Sequence, residues 1–452
     1  MTNGMEWIES SEATLGKIND TVWQYAETGL EEIRSSQFLA EVLREHGFTV
    51  ESDIAGMPTA FIARFGTDGP EIGFLAEYDA LPELSQKVSA TREKEDANPN
   101  SGHGCGHNTL AAAILGGAIG LSKDIASGCV KGRVTVFGCP AEELLVGKVK
   151  MAEAGVFNSC SILFSCHPND VSYVWARTSC AVWSGKFSFS GVTAHAAIDP
   201  YNGRSALDAV ELMDVGANYL REHVPSDVRI HYVITDGGRV PNVVPAKAEV
   251  WYTLRAKNMA TLNPVTERVA KLAEGASIMT ETSWKRQCLT TCQDVLRNQV
   301  LEQVLLEAMR RVGPPAWTEK EYQFAEQISK NLPKGTREAA IKDYQLSDDS
   351  VCRELHAGIY DGFYKEGGVM SVSTDVGDAS HIVPTGVFSF ASVVIGAPGH
   401  SWFYTACSGS SIAHKGCVMA AKVLLTASEM LLTDTDLIQR AHETFLANSV
   451  QG

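Results

Sequence analysis

An α/β fold on a mostly parallel sheet, interrupted by a smaller inserted α+β domain, is what this 452-residue sequence predicts. Three observations carry that reading. Short apolar runs alternate with helical spacing through the first 178 residues, the pattern of a parallel sheet covered on both faces. From about Ser179 the order becomes strand–helix–strand–strand–helix–strand, the split βαβ pattern of a ferredoxin-like domain. After Asn298 helices return, and a last apolar run from Val387 to Gly396 restores the first texture. The expected division is residues 1–178 and 293–452 for the main domain and 179–292 for the insert, in keeping with a length that suggests two or three domains.

The elements follow in order. Ala13 to Glu45 keeps helical spacing, broken near Glu27-Thr28-Gly29, so the first 65 residues read as two helices before a strand. Phe48 to Phe65 alternates about a turn at Gly56-Met57-Pro58. Glu71 to Tyr78 is a buried strand, and Leu84 to Asn100, polar throughout, reads as a mobile loop. Thr109 to Leu121 is rich in Ala, Gly and Leu, the composition of a tightly packed core helix. Arg133 to Cys139 and Ser161 to Cys166 are further strands. In the insert, strands are expected at Ala181–Gly191, Arg229–Thr235, Ala246–Leu254 and Ser283–Thr291, with helices at Ser205–His223 and Pro264–Glu274. Pro314 to Asp349 reads as a polar stretch.

Composition removes several functions. With 38 Lys+Arg against 54 Asp+Glu the net charge is −16, which argues against nucleic acid or an anionic membrane as partner. No uninterrupted run of about 18 apolar residues suggests a spanning helix. The first residues show no basic segment followed by an apolar one. Eleven Cys without paired spacing point to reduced thiols and a cytoplasmic location.

Four motifs fall just past predicted strands or before a core helix. In Gly102-His103-Gly104-Cys105-Gly106-His107-Asn108, Cys105 and His107 are two apart and project to one side of an extended segment, where they could share a metal. Glu142 and Glu143 follow the Arg133–Cys139 strand; such a pair also suits a solvated helix start. His167 and His400 lie past two further strands, and either alone would suit a structural role. In an open α/β sheet those strand ends converge on one edge. Cys105, His107, Glu143, His167 and His400 would then offer S, N, O, N and N donors to one or two ions. Glu142 would remain to take a proton from a metal-bound water, whose pKa a divalent ion brings towards neutrality.

The order GHGCGHN, Glu-Glu, HP and a late HSW resembles the M20 family of metallopeptidases. More narrowly it is similar to the amidohydrolase branch, near the aminobenzoyl-glutamate hydrolase and indole-acetyl-aspartate hydrolase groups. AEYDALPELSQ, TAHAA, GRSALDAV, PNVVPAKAEV, STDVGD and SIAHKG extend the likeness over nearly the whole chain. The resemblance implies a metallohydrolase domain with a lid used for dimerisation. It implies the five ligands above, with Glu142 as catalytic base. His195 would complete the site of a dimer partner, while Asn242 and Arg255 would hold a substrate carboxylate, the guanidinium in bidentate fashion. Arg204 would anchor the lid helix, and Asp375 and Asp378 would shape loops. The chain departs from the family at Leu144-Leu145, where glycines are usual, and at Ala26, where proline is usual. The leucines would shrink and dry the pocket, suiting a flat aromatic substrate.

The reading is therefore a metal-dependent C–N hydrolase of small aromatic carboxylates, cleaving aryl-acyl amino acids as a homodimer or larger homo-oligomer. One or two ions are expected, Zn or Mn, with Co or Ni as alternatives. The rivals are a hydrolytic deaminase of an electron-poor aromatic amine such as a nitroanthranilate, which Leu144-Leu145 favours, and a non-catalytic binding or regulatory protein that has kept the fold.

Overall fold

The computed structural model describes residues 2–449; the outermost expected domain ends lie outside them. The chain divides into two compact units, described separately. One contains the residues up to Arg177, Leu296–Gly368 and the residues from Asp378 onward; the other contains Thr178–Val295 and Val369–Gly377.

The larger unit is built on a seven-stranded sheet. Its order is Thr49–Ile54, Met57–Phe65, Arg133–Cys139, Glu71–Glu77, Ile162–Asn169, Thr385–Ala391 and Tyr173–Val174. The four central strands, from Arg133–Cys139 to Thr385–Ala391, are parallel, as expected. The flanking strands run antiparallel, because the Gly56 turn folds Thr49–Ile54 back on Met57–Phe65 and Tyr173–Val174 returns beside Thr385–Ala391. Glu71–Glu77 is buried along its whole length, which explains its unbroken apolar run.

Two long helices fill one side of this core. His107–Ser127 and Ser411–Thr433 are apolar and long enough to cross a membrane, yet 83% and 67% of their most apolar windows are buried inside the protein. They approach closely because Gly116 and Gly117 stand opposite Ala421 and Leu424, where an added Cβ would meet Cβ atoms at 2.8 Å.

The start of the chain differs from expectation. Three helices precede the first strand: Asn3–Ser10, Glu12–Tyr25 and Ile33–Glu45. The first, of eight residues, is held by tertiary contacts: the Gly4 N–H donates to Asp124 Oδ1 at 2.8 Å, and Thr2 caps it. Ala26 ends the second helix at φ 40°, with its N–H bonded to Val22 O; proline supplies neither. The Leu84–Asn100 segment is irregular but pinned. Gln86 donates to Thr91 O and accepts from Glu93 N, and Ser85 bonds Asn98 O. The polar stretch from Pro314 contains two helices, Glu319–Ser329 and Thr336–Tyr344; Thr318 and Glu321 form a capping box for the first.

The smaller unit has a four-stranded antiparallel sheet in the order Arg229–Asp236, Lys247–Ala256, Ala181–Ser190, Ser283–Cys292. Helices Ala206–Leu220 and Met259–Thr280 pack on it through Met213, Ala217, Leu262 and Val269. This is the predicted ferredoxin-like arrangement. The second helix begins five residues before Pro264, because Asn258 caps it by accepting from Thr261 N at 3.0 Å.

Candidate metal centre

The carboxyl ends of the parallel strands and one glycine-rich turn supply the site. Gly106 stands at φ 79°, a left-handed conformation suited to glycine, and starts the helix whose first residue is His107. Glu142 and Glu143 form a short 3-10 turn after Arg133–Cys139, between Ala141 at φ 56° and Leu145 at φ 54°. His167 lies in Ile162–Asn169, and the His400 N–H bonds Gly104 O at 3.1 Å.

These residues converge. Donor atoms of Cys105, His107 and His167 lie within 4.8 Å of one another, as do those of Cys105, Glu143 and His400. Cys105 belongs to both groups, so the five residues singled out from the sequence form two triads sharing a sulfur. Cys105 Sγ is 3.5 Å from His167 Nε2, and His400 Nε2 is 3.5 Å from Glu143 Oε2. A third triad joins Glu77, His107 and Glu142, with Glu142 Oε2 3.9 Å from His107 Nε2.

The ring nitrogens are sorted by their partners. His107 Nδ1 lies 2.8 Å from Asp79 Oδ1, and His167 Nδ1 lies 2.7 Å from Pro168 O. Each acceptor fixes the proton on Nδ1 and leaves Nε2 to face the other donors. Burial, helped by neighbouring His107, pushes the His167 pKa down to about 4, which keeps it in the neutral form that binds metals. Burial, then the charge of Glu143, raises the Cys105 thiol; a coordinated cation reverses that balance. His107 Nε2 and Glu143 Oε1 are buried with no hydrogen-bond partner. Such orphaned donors in an S/N/O set fit a divalent ion.

Several residues around this centre lie outside the four ligand motifs. Asp79 holds both His107 and, at 2.9 Å, the Glu143 N–H. Burial works against its charge, but His107 beside it keeps its pKa low. Glu77 is buried and bonded at 2.8 Å to Lys148 Nζ, itself 0% exposed. Both acids stand at the end of an otherwise apolar strand, a position from which a site role is readable.

Glu32 accepts from the Ala141 N–H at 2.7 Å and so supports the turn carrying Glu142. Burial, then the charge of Asp79, raises its pKa from 4.5 to about 7. A carboxyl raised in the folded state contributes stability below its unfolded pKa and loses it as pH rises through the folded one. Glu32→Gln keeps the acceptor and removes the charge. It should match the parent near pH 4 and be more stable at pH 8 by about 3 kcal/mol, checked by urea unfolding at both pH values.

The other singled-out residues lie in the smaller unit or at the turn, except Asp378, which is in the larger unit. His195 is exposed, and its Nδ1 accepts from the N–H groups of Ala197 and Ile198 at 3.2 Å, which leaves Nε2–H as its outward donor. His195 pairs with Val243, and Asn242 O accepts from Ala196 N, so His195 and Asn242 are neighbours. Arg255 Nη1 donates to Ser373 Oγ at 2.7 Å. Arg204 ties the Tyr201–Gly203 turn to Glu281 at 2.8 Å. Asp375 is buried, and Asp378 is in the Val376–Ser380 helix. Leu144 is 49% exposed and lies against Gly29, while Leu145 is half-buried.

Comparison with known proteins fits this geometry. Residues 178–278 match the peptidase dimerisation domain of M20 proteins. Over 445 residues the chain is 36% identical to one of the subunits of p-aminobenzoyl-glutamate hydrolase from Escherichia coli, covering 96% of this chain and 92% of that one. The chain belongs to the M20 family. It is a metal-dependent hydrolase of carbon–nitrogen bonds. The Xaa-Arg dipeptidase of Mus musculus is 27% identical to this M20 chain, over 94% of it and 88% of the relative. Among solved structures, an aminobenzoyl-glutamate utilization protein from Klebsiella pneumoniae aligns with a TM-score of 0.60 at 17% identity, covering 91% of this chain and 98% of that one. A dinuclear metal binding peptidase of the M20 family from Bacillus subtilis aligns with a TM-score of 0.57 at 18% identity, covering 92% and 99%. Both likenesses concern the fold.

Proposed function

We propose that this M20 chain hydrolyses the amide that joins an aryl acyl group to an amino acid, in the cytoplasm. The observation that carries the reading is the division of the carboxylate pair: Glu143 faces His400 and Cys105, while Glu142 faces His107. Cys105, His107, Glu143, His167 and His400 would hold one or two ions, Zn or Mn. A divalent ion there would supply Lewis acidity towards the scissile carbonyl and the attacking water. Glu142 takes the proton of that water and passes it to the leaving nitrogen. The outward Nε2–H of His195 donates to the substrate oxygen as it gains charge in the site of a second copy of the chain. Arg255 and Asn242 bind the carboxylate of the amino acid, and Leu144 and Leu145 contact the ring.

A homodimer through the smaller unit is supported by its surface. Arg229–Asp236 is an edge strand with Val233 and Ile234 exposed, and Leu212, Val215 and Tyr219 are exposed on Ala206–Leu220. Light scattering on the purified protein tests this, and a fully active monomer would refute it.

The reaction is tested by product analysis on N-aroyl amino acids. Release of the amino acid supports the amidohydrolase; ammonia from an aromatic amine instead would make it a deaminase. Chelation should abolish turnover, and elemental analysis of the untreated protein identifies the metal. Arg255→Ala should raise KM by about tenfold or more and leave kcat nearly intact, because a carboxylate contact exists in ground and transition states alike. Equal turnover of the substrate and its methyl ester would remove the carboxylate anchor.

A further inference from the structure

We propose that Trp175 and Arg177 form a subsite beside the candidate metal centre for an aromatic ring carrying an acidic substituent. The amidohydrolase reading supplies only what the ring is attached to. Trp175 continues the line of Tyr173–Val174 by donating its N–H to Val387 O at 3.0 Å. Its indole is held by Nε1–H donation to Ser389 Oγ at 2.8 Å. The ring centroid lies 6.2 Å from that of His167, so this half-buried aromatic face stands next to a candidate ligand.

Arg177 follows two residues later, at a bend past the end of Tyr173–Val174. Its guanidinium lies over the ring of Tyr364 at 4.4 Å, a cation–π contact, and against the hydroxyl of Tyr173. Both tyrosines belong with Trp175 to one aromatic cluster. Among the described residues no carboxylate lies within ion-pair distance of Arg177, and its Nε is buried without a hydrogen-bond partner. A half-buried arginine normally pairs with an acid, because the guanidinium fork matches a carboxylate. Here the aromatic walls and the Tyr173 hydroxyl hold it in place, Asp343 on the Tyr364 hydroxyl feels its charge from beyond ion-pair distance, and the remaining guanidinium donors can take an acid from outside. A ring stacked on Trp175 would carry its substituent towards the cluster that holds Arg177. The substrate class is therefore an aryl acid with an acidic substituent on its ring.

Calorimetric titration of the metal-loaded protein with benzoate, terephthalate and cyclohexanecarboxylate tests the subsite. Terephthalate should bind about tenfold or more tightly than benzoate, as one charge-assisted contact would give. Arg177→Met should bring the two within about twofold, and Trp175→Leu should erase the preference for benzoate over cyclohexanecarboxylate. If Arg177→Met fails to fold, Arg177→Lys serves: it keeps the charge over Tyr364, loses the fork, and should narrow the gap. Equal binding of the two aryl acids by the parent, or a gap that survives at Arg177, would overturn the proposal and leave Arg177 a clamp for the tyrosines. The titration decides irrespective of turnover; failure to release amino acid from N-benzoyl-glutamate would count separately against the amidohydrolase.

Discussion

Glu142→Gln should retain its metal and lose kcat by at least about 10²-fold, the usual weight of a positioned general base. The amide keeps the size and polarity of the carboxylate, so the 3-10 turn and its neighbour Glu143 have no reason to move. What disappears is a group able to accept a proton beside His107, 3.9 Å away. Elemental analysis and steady-state kinetics on the same preparation decide the role. Loss of the metal together with the activity would make Glu142 a ligand and transfer the proton to another group.

Lys148→Met should destabilise the larger unit by about 3–5 kcal/mol, the cost of leaving a buried charge without its partner. Lys148 and Glu77 are 0% and 2% exposed, and their 2.8 Å contact lies behind His107, whose Nε2 is 3.5 Å from Glu77 Oε2. Such a loss is a large share of the stability of an ordinary domain. The double variant Glu77→Gln with Lys148→Met, neutral on both sides, should recover most of it. Urea unfolding of the three proteins measures the coupling, and equal stabilities of the single and double variants would show that Glu77 is not the group stranded.

The legibility of the sequence divides along physical lines. Periodicity reports one face of an element at a time, so the buried strand Glu71–Glu77 and all four strands of the smaller unit were readable within a residue or two. The glycine-rich turn, the Glu pair and the two late histidines were readable because side chains at strand ends in an α/β sheet have few places to go. Pairings between distant residues were not. Lys148 reads as an ordinary helix lysine, and its burial depends on Glu77 in another element. Glu32 sits before a surface helix, yet its carboxylate is spent on Ala141 N. The Asn3–Ser10 helix escaped for the same reason: its stability comes from Asp124 and Gly120, not from its own eight residues.

The packing of His107–Ser127 against Ser411–Thr433 sets an order of events at the ribosome. The first helix is made long before the second, and until the second emerges its Gly116–Gly117 face has no Ala421 or Leu424 to rest on. His400 is late as well, so the donor set is incomplete during most of synthesis. The smaller unit, apart from Val369–Gly377, is contiguous from Thr178 to Val295 and can close its sheet while the rest is still being made. For that interval the nascent chain carries an apolar helix covered by the N-terminal helices but bare along its Gly117 face, the kind of surface chaperones hold, and a full donor set waits for His400.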